Sequence, residues 1–268
     1  MDPESESAGR PSLFVLVPGW GAPHLAEKTD ILAKNIARIS SYPWSSVSVR
    51  VCVYDSAPEA RLDPCEIREA FGAAQNVITE VFYESGAPGD FVRRFASPED
   101  PVVSSADYAL LLLDDVELQP DTDFAEFIRY QREFGPAIVS PTLTRDSLHV
   151  FPHMLSGAAA AAGVAAPGAA VVTPVCEFFA YFMDTETTLP RYHSFLDREN
   201  PWMWGMDLVL HRRMGIKAIL AGRATMRHHF KGSGAAPETF AARRAYLAKH
   251  GETEESAAQQ APFMYSLA

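Results

Sequence analysis

The segment DYALLLLDDVELQP, from Asp107 to Pro120, decides the fold. Its four consecutive leucines, Leu110 to Leu113, are followed directly by Asp114 and Asp115. A short apolar run that ends in polar residues is typical of a strand buried on both faces of a sheet. Ligands of open α/β sheets bind beyond the carboxyl ends of such strands. The segment therefore predicts a ligand-binding edge lined by these two aspartates, with Glu117 close behind them.

The composition of the chain excludes several classes of protein. With 268 residues, 47% of them hydrophobic and 21% charged, the chain is long enough for one large α/β domain or two small ones. Its net charge of −11 argues against a protein that binds nucleic acid. The three cysteines are widely spaced, unlike those of a disulfide scaffold or a zinc cluster.

The apolar runs and the N-terminus bear on where the protein acts. No apolar run is long enough for a membrane span, and the acidic, polar N-terminus does not have the pattern of a signal peptide. We therefore expect a protein with no membrane span that is cytoplasmic, with the lumen of the secretory pathway as the alternative. Residues 1–11 are expected to form a disordered lead-in.

A second apolar strand is predicted at Leu13–Val17, where the turn-forming residues Pro18, Gly19, Trp20 and Gly21 follow. A helix is predicted after this loop by apolar residues that share one face, namely Leu25, Leu32, Ile36 and Ile39. A strand, a glycine-rich loop and a helix in this order suggest a nucleotide-binding half-fold. The loop matches neither the dinucleotide fingerprint nor the phosphate-binding loop, so an ordinary turn explains it equally well.

A third strand is predicted at Val47–Tyr54, where polar and apolar residues alternate and Asp55 follows. An aspartate at that place often holds a ribose in nucleotide-binding folds. Asp55 is also a common turn residue, and this reading is favoured by roughly two to one. Further strands are predicted at 76–83, 137–140, 171–183 and 216–220, helices at 121–134, 207–214 and 237–250, and an alanine-rich loop at 156–170.

Several residues of the second half could line a site. Glu177 is a carboxylate within an apolar stretch, so it lies either on a solvated face or in a site. Trp202 and Trp204, beside Gly205, would suit stacking on a sugar ring, although core packing is the commoner role of such residues. Asp207 falls in the first turn of a predicted helix, where the helix dipole alone favours a carboxylate.

A basic cluster follows the last predicted strand of the sheet. It contains Arg223, Arg227, His228, His229 and Lys231, in a chain whose net charge is −11. These side chains could contact a phosphate group or a metal ion. A solvated, charged turn explains the two histidines about equally well.

Taken in order, these features resemble the glycosyltransferases of the GT-A fold. The shared order is a strand that ends in acidic residues, the sequence WGMD (residues 204–207) at the start of a helix, another strand, and a late histidine. More narrowly, the chain is similar to a plant and algal family known as domain of unknown function seven-hundred-seven. The matching segments, which span most of residues 12–232, are LVPGWG, the DY-strand-Asp motif, VCEFFAYFM, PWMWGMDLVLHRRMGIKAIL and ATMRHHFKG.

The resemblance implies an α/β fold of the GT-A type, with a mostly parallel central sheet flanked by helices. Residues 12–250 would form a single domain, with a Rossmann-like nucleotide-binding half at 12–118 and an acceptor half at 119–250. Residues 251–268 would form a C-terminal tail. The implied partners are a nucleotide-sugar donor, such as a UDP- or GDP-sugar, and a glycan or another acceptor that offers a hydroxyl group.

The resemblance also implies a role for each matching residue. Asp115 and His228 would bind Mn²⁺ or Mg²⁺, and Asp207 would be the general base of an inverting transfer. Leu113 stands where the family has the first aspartate of its Asp-x-Asp motif, so Asp114 would contact the donor from the middle position. The other expected donor contacts are Pro18, Gly19, Trp20, Gly21, Asp55, Arg227 and Lys231. The expected acceptor contacts are Glu177, Trp202, Trp204 and His229.

Two other functions are compatible with these residues. Clustered aspartates and histidines also describe a metal-dependent phosphoesterase or a nucleotide hydrolase. The incomplete Asp-x-Asp motif also suits a catalytically inactive protein that binds nucleotide sugars. The order of the motifs favours the transferase, in which a cation held by carboxylates stabilises the charge of the departing diphosphate.

Overall fold

The computed structural model describes residues 9–21, 24–54, 77–148, 151–230, 237–260 and 262–267. The strands are β1 (Leu13–Trp20), β2 (Val47–Tyr54), β3 (Val77–Glu84), β4 (Tyr108–Leu112), β5 (Val116–Leu118), β6 (Ala137–Leu143), β7 (Val171–Thr173), β8 (Ala180–Asp184), β9 (Lys217–His228) and β10 (Tyr265–Ser266). The helices are α1 (Leu25–Ser40), α2 (Pro88–Phe95), α3 (Pro101–Ser104), α4 (Phe124–Phe134), α5 (Ala158–Ala161), α6 (Thr188–His193), α7 (Met206–Val209), α8 (Pro237–Lys249) and α9 (Glu254–Ala258). Within these ranges, no helix has the length and hydrophobicity needed to cross a membrane.

All of these strands belong to one sheet, in the order β10-β7-β9-β6-β8-β4-β1-β2-β3, with β5 paired to β9. Four strand pairs are parallel and five are antiparallel. The prediction of a mostly parallel sheet is therefore wrong, although the α/β class is confirmed. The difference arises because β7, β8 and β10 run against their neighbours, and a buried apolar strand has the same sequence pattern in either direction.

The strand predicted from the opening segment is confirmed at the centre of the sheet. β4 pairs with β1 on one side and with β8 on the other. All five of its residues are buried, and Leu111 is completely inaccessible to solvent. β4 ends at Leu112, and Asp114 and Asp115 follow after Leu113 at one edge of the sheet.

The directions of the strands bring distant residues to that same edge. β1, β2 and β4 are parallel to one another. β8 is antiparallel to β4 and to β6, and β6 is parallel to β9, so β9 runs in the direction of β4. The residues that end β1, β2, β4 and β9 therefore lie at one edge, together with the residues that precede β8.

β1 continues through the residues that were predicted to form a turn. It extends to Trp20, with a bulge between Pro18 and Trp20 in its pairing with β2. Gly19 has a φ of 104° at this bulge, and a Cβ there would collide with the Tyr54 hydroxyl. The glycine therefore allows the chain to bend beneath the Tyr54 ring, which an L-residue could not do.

Several other element boundaries differ from the predictions. The stretch 171–183 is divided into β7 and β8. The helix predicted at 207–214 is limited to the four residues of α7, after which the chain makes wider turns up to Gly215. β9 runs to His228 instead of ending at Leu220. The tail predicted at 251–268 contributes α9 and the edge strand β10.

Asn35 of α1 fixes the segment that follows the two aspartates. Its side-chain amide donates to Val116 O at 2.7 Å, and Leu118 N donates to its Oδ1 at 2.8 Å. The residue is buried, so both backbone groups of β5 depend on it for their hydrogen bonds. The side chain therefore sets the position of β5 against α1.

We expect Asn35→Ala to lower the free energy of unfolding by about 2–4 kcal/mol, because two buried backbone groups lose their partner. Denaturant unfolding monitored by circular dichroism measures the loss. Asp30→Ala, at an exposed position of the same helix, is the control and should change stability by less than about 0.5 kcal/mol. Equal effects of the two substitutions would contradict the role given to Asn35.

Candidate active site

Asp115 and His228 form the centre of the candidate site. Asp115 lies between β4 and β5, and His228 is the last residue of β9. His228 Nε2 is 3.1 Å from Asp115 Oδ2, and the backbone N–H of His229 donates to Asp115 O at 3.0 Å. The antiparallel pairing of β5 with β9 therefore brings together two residues that are 113 positions apart in the sequence.

The orientation of the His228 ring is fixed by its second nitrogen. Nδ1 lies 2.6 Å from the carbonyl oxygen of Leu148, which can only accept, so Nδ1 carries a proton. Nε2 therefore faces Asp115. Burial lowers the pKa of His228, but its hydrogen bond to Asp115 and the charge of that carboxylate outweigh burial and hold the pKa above its usual value. When Nε2 loses its proton, its lone pair points in the same direction, toward Asp115.

The second oxygen of Asp115 adds to this arrangement. Asp115 Oδ1 is buried and has no hydrogen-bond partner among the described residues. A carboxylate oxygen suits Mn²⁺ or Mg²⁺, and the neutral imidazole nitrogen beside it is a common metal ligand. No group of three or more such side chains that could hold a metal occurs in the described part of the chain. Two protein ligands still fit these ions, because they are commonly held by one or two side chains together with substrate phosphates and water.

Asp114 points to a different partner. Its Oδ2 is 2.6 Å from Lys28 Nζ and accepts from Gly21 N at 3.3 Å. Lys28 also donates to Gly21 O at 2.8 Å, so the three groups join α1, the end of β1 and the end of β4. Burial and the adjacent Asp115 raise the pKa of Asp114, and Lys28 opposes them. The structure thus places Asp114 where it secures the chain between β1 and α1.

A second acidic–histidine pair lies beside the first. His229 Nε2 is 2.9 Å from Glu117 Oε2, and Lys34 Nζ lies 3.7 Å from the same oxygen. The ring of Phe230, which follows, stacks on His24 with 4.2 Å between centroids. Lys34 already places a positive charge beside the Glu117–His229 pair, so this pair is less suited to hold a metal ion than Asp115 and His228.

Asp207 lies in the first turn of α7, after Gly205, whose φ is 84°. Protein atoms surround its carboxyl group, yet the residue keeps some contact with solvent. Burial and the Glu177 carboxylate raise the pKa of Asp207 to about 7, and Arg243 opposes them. A carboxyl group with this pKa can accept a proton at neutral pH.

Glu177 connects the two parts of the site. Its carboxylate raises the pKa of both Asp207 and His228, so it lies within electrostatic range of each. It stands just before β8, at the edge of the sheet that carries Asp115. Of the residues that the sequence analysis singled out, Asp115 and His228 are in contact, and Glu177 lies within electrostatic range of both His228 and Asp207.

The two tryptophans lie in the loop that precedes α7. Trp202 is 50% exposed, whereas Trp204 is partly buried. The buried Asn200 holds the loop closed, because its side chain donates to Trp204 O at 2.9 Å and accepts from Trp204 N at 3.1 Å. Pro201 O also accepts from Gly89 N at 2.7 Å. The exposed ring of Trp202 is thus carried by a loop that is fixed at both ends.

Several expected donor contacts are buried, paired with other residues or outside the described residues. Pro18, Gly19, Trp20 and Gly21 are all buried in β1 or directly after it, and Gly21 N donates to Asp114. Arg227 forms an ion pair with Asp146 at 3.1 Å, on a strand position adjacent to His228 and therefore on the opposite face. Asp55 and Lys231 lie outside the described residues, as does most of the expected lead-in at 1–11.

Two cations near the site were missed by the sequence analysis. Lys28 lies on the apolar face of α1 between Leu25 and Leu32, and a lysine that interrupts such a face could have indicated a buried ion pair. Arg243 comes from α8, far from the other residues in the sequence. No spacing in the sequence links it to Asp207.

The fold is similar to that of residues 1–349 of TarS from S. aureus, a glycosyltransferase. The TM-score is 0.51 at 12% identity, and the match covers 92% of this chain and 67% of the TarS chain. At this identity the likeness shows a shared fold. No protein-family model and no curated protein matches the chain, so membership of family seven-hundred-seven is not shown.

We expect Lys28→Met to lower the free energy of unfolding by about 3–5 kcal/mol at pH 8, because Asp114 becomes a buried and unpaired carboxylate. The loss should be smaller at pH 5. Without Lys28, the pKa of Asp114 in the folded protein rises further above its value in the unfolded chain. At pH 5 the folded variant therefore holds a proton on Asp114 and buries no charge. Its stability falls as the pH increases through the range between the two pKa values.

Urea unfolding at the two pH values measures the effect. Lys34→Met, on the exposed side of the same helix, is the matched control and should cost less than about 1 kcal/mol at either pH. A loss in Lys28→Met that does not depend on pH would show that Asp114 is not the group left unpaired.

Proposed function

We propose that this protein is a glycosyltransferase that moves a sugar from a nucleotide-sugar donor to an acceptor hydroxyl group. The observation that carries the proposal is the Asp115–His228 pair at one edge of a sheet whose fold resembles that of a glycosyltransferase, with Asp207 and His228 both within electrostatic range of Glu177. The pair offers ligands for a cation, and Asp207 offers a base. Both are required when a sugar–phosphate bond is exchanged for a new glycosidic bond.

Asp115 and His228 are the proposed ligands of Mn²⁺ or Mg²⁺. The buried, unpartnered Oδ1 of Asp115 supports this assignment, together with the fixed orientation of His228. Such a cation, when bound, supplies positive charge to the diphosphate of the donor. The Leu148 carbonyl serves as the outer partner that holds the imidazole in the tautomer needed for coordination.

Asp207 is the proposed general base. The hydroxyl oxygen of the acceptor attacks the anomeric carbon, and its proton passes to the Asp207 carboxylate. The bond between the anomeric carbon and the phosphate oxygen breaks, and the nucleoside diphosphate leaves with that electron pair. Attack from the side opposite the leaving group inverts the configuration, so the proposal is an inverting transfer. The raised pKa of Asp207, about 7, suits a base that works at neutral pH.

The proposed acceptor contacts are Trp202, Trp204, Glu177 and His229. The half-exposed ring of Trp202 could stack on the apolar face of a sugar, and its loop is held in place by Asn200. The chemical class that suits these groups is a glycan or another polyol. A UDP- or GDP-sugar is the proposed donor, with the segment from Pro18 to Gly21, Asp55, Asp114, Arg227 and Lys231 as its proposed contacts.

The proposal is tested by melting the protein with Mn²⁺ and a panel of nucleoside diphosphates and nucleotide sugars. A ligand at a hundred times its dissociation constant stabilises the folded state by about 2.7 kcal/mol. We expect one nucleotide to raise the melting temperature in a Mn²⁺-dependent way. The matching nucleotide sugar should then be consumed faster when an acceptor glycan is added. Consumption at the same rate without acceptor would indicate a hydrolase, and no stabilisation by any nucleotide would contradict the proposal.

A further inference from the structure

The C-terminal helix α8 packs directly against the turn that presents Asp207. Gly205 precedes α7, and a Cβ on this glycine would lie 3.3 Å from Arg243 Cγ and 3.5 Å from a side-chain carbon of Leu247. The stem of Arg243 therefore covers the backbone two residues before Asp207. The Arg243 side chain, from a distant part of the chain, therefore starts beside the turn that carries the proposed base, and its charge acts on Asp207.

Among the described residues, the other groups that are found to interact with Asp207 carry no positive charge. Glu177 is a carboxylate, and it raises the pKa of Asp207. Cys176, Tyr181, Tyr192 and Tyr246 also interact with Asp207, and burial raises the pKa of each of them, so that they are neutral near pH 7. Arg243 is the group whose charge opposes burial and Glu177.

The guanidinium group is only loosely held by its own neighbours. Arg243 Nε is buried and has no hydrogen-bond partner among the described residues. The carboxylate oxygen Glu254 Oε1 of α9 is 3.6 Å away from it, and 44% of the Glu254 side chain is exposed. An ion pair at this distance and exposure leaves much of the arginine charge available to other groups.

We propose that Arg243 is a positioning residue of the reaction centre, whose charge stabilises the ionised form of Asp207 and so keeps the base ready to accept a proton. The inference rests on the proposed function for its catalytic meaning. Through Arg243, helix α8 contributes to the chemistry of the site. Glu254 partly offsets the charge of Arg243.

The sign of the expected effects follows from the charges. Removing the arginine charge in Arg243→Met makes the carboxylate of Asp207 less favourable, so the acid limb of the pH profile of kcat/KM moves to higher pH. Removing the opposing carboxylate in Glu254→Gln moves it to lower pH. A unit charge at the distances of a partly buried neighbour shifts a titration by roughly 0.5–1 pH unit. Arg243→Lys retains the charge and should restore most of the wild-type profile.

The experiment compares Arg243→Met, Arg243→Lys, Glu254→Gln and the control Arg244→Met. Arg244 is the exposed neighbour on the same helix, so its substitution changes the net charge equally. The first readout is the pH profile of kcat/KM for sugar transfer. A purely structural role of Arg243 would lower the rate at every pH and leave the limb where it is.

The second readout does not require activity. For each variant, the unfolding free energy is measured from pH 4 to pH 9 with and without the additional substitution Asp207→Asn, and the difference between the two curves reports the titration of Asp207. We expect this titration to move to higher pH in Arg243→Met and to stay in place in Arg244→Met. The readout tests the inference even if no transfer is found, so its failure is distinguishable from failure of the proposed function.

The opposite shifts expected in Arg243→Met and Glu254→Gln keep the test valid if one of the variants does not fold. If Arg243→Met does not fold, Glu254→Gln must still move the titration of Asp207 to lower pH. Identical titrations in Arg243→Met and Arg244→Met, or an unchanged titration in Glu254→Gln together with a misfolded Arg243→Met, would overturn the inference.

Discussion

Asp207→Asn is expected to reduce the rate of sugar transfer by about 10²–10⁴-fold, which is the usual contribution of a general base. The substitution keeps the size of the side chain but removes its ability to take a proton. Donor binding should change little, because Asp207 is assigned to the acceptor proton. Steady-state kinetics should therefore show a fall in kcat with a nearly constant KM for the donor.

The same substitution is expected to stabilise the protein at alkaline pH. The pKa of Asp207 is about 7 in the folded state and about 3.9 in an unfolded chain. Between these values the folded state binds the additional proton, so the stability contributed by this group falls as the pH increases from about 4 to about 7. Asparagine does not ionise, so Asp207→Asn should gain up to about 4 kcal/mol over the wild type at pH 8 and almost nothing at pH 4.

Asp184→Asn provides a control with the opposite sign. Asp184 ends β8 at the other edge of the sheet, and although burial raises its pKa, hydrogen bonds from Thr188 and Thr187 lower it below the usual value. This carboxylate therefore stabilises the fold above its unfolded pKa, and the contribution is lost as the pH falls. Its substitution should destabilise the protein at pH 8 and leave transfer largely intact. A stabilised but fully active Asp207→Asn would contradict the assignment of the base.

Asp115→Asn is expected to abolish the Mn²⁺-dependent stabilisation by a nucleoside diphosphate. A wild-type stabilisation of about 2.7 kcal/mol at a hundred times the dissociation constant would fall to about 0.4 kcal/mol if the affinity decreased by a factor of about 100. The reason is that asparagine offers a neutral oxygen where the cation needs a charged one. Differential scanning calorimetry with Mn²⁺ and with a chelator measures the change.

Glu117→Gln is the matched control for this experiment. It removes the carboxylate that pairs with His229 and that Lys34 also contacts. This second pair lies beside the Asp115–His228 pair. The nucleotide-dependent stabilisation should persist in this variant. Its loss in Glu117→Gln and its survival in Asp115→Asn would move the cation to the neighbouring pair.

The positions of the central strands follow from the sequence alone. Tyr108–Leu112 is an apolar run and Val47–Tyr54 is an alternating one, and burial dictates such patterns whatever the topology. Their neighbours and directions do not follow, because β8 has the same pattern as a parallel strand. β9 was expected to end at Leu220, because basic residues such as Arg223 and Arg227 follow it and a solvated, charged turn could explain them. In the structure these residues occupy its more solvent-accessible face.

The candidate site was predicted in part for a similar reason. Asp115 and Asp207 stand at the ends of regular elements, where a sequence pattern indicates both the element and its boundary, whereas His228 was singled out as part of a basic cluster although its strand was expected to end at Leu220. The residues that modify their charges come from packing between elements. Lys28 meets Asp114 because α1 crosses the end of β4, and Arg243 meets the Asp207 turn because α8 packs on Gly205. Tertiary contacts of this kind have no periodic signal in the sequence.

The most direct test of the account is to locate manganese in crystals grown with Mn²⁺ and the nucleoside diphosphate that stabilises the protein. Anomalous scattering at the manganese edge identifies the ion independently of the surrounding atoms. The account predicts one anomalous peak in contact with Asp115 Oδ1 and His228 Nε2 and with the phosphate oxygens of the nucleotide. A nucleotide bound at another edge of the sheet, or a manganese ion held by Glu117 and His229 instead, would contradict it.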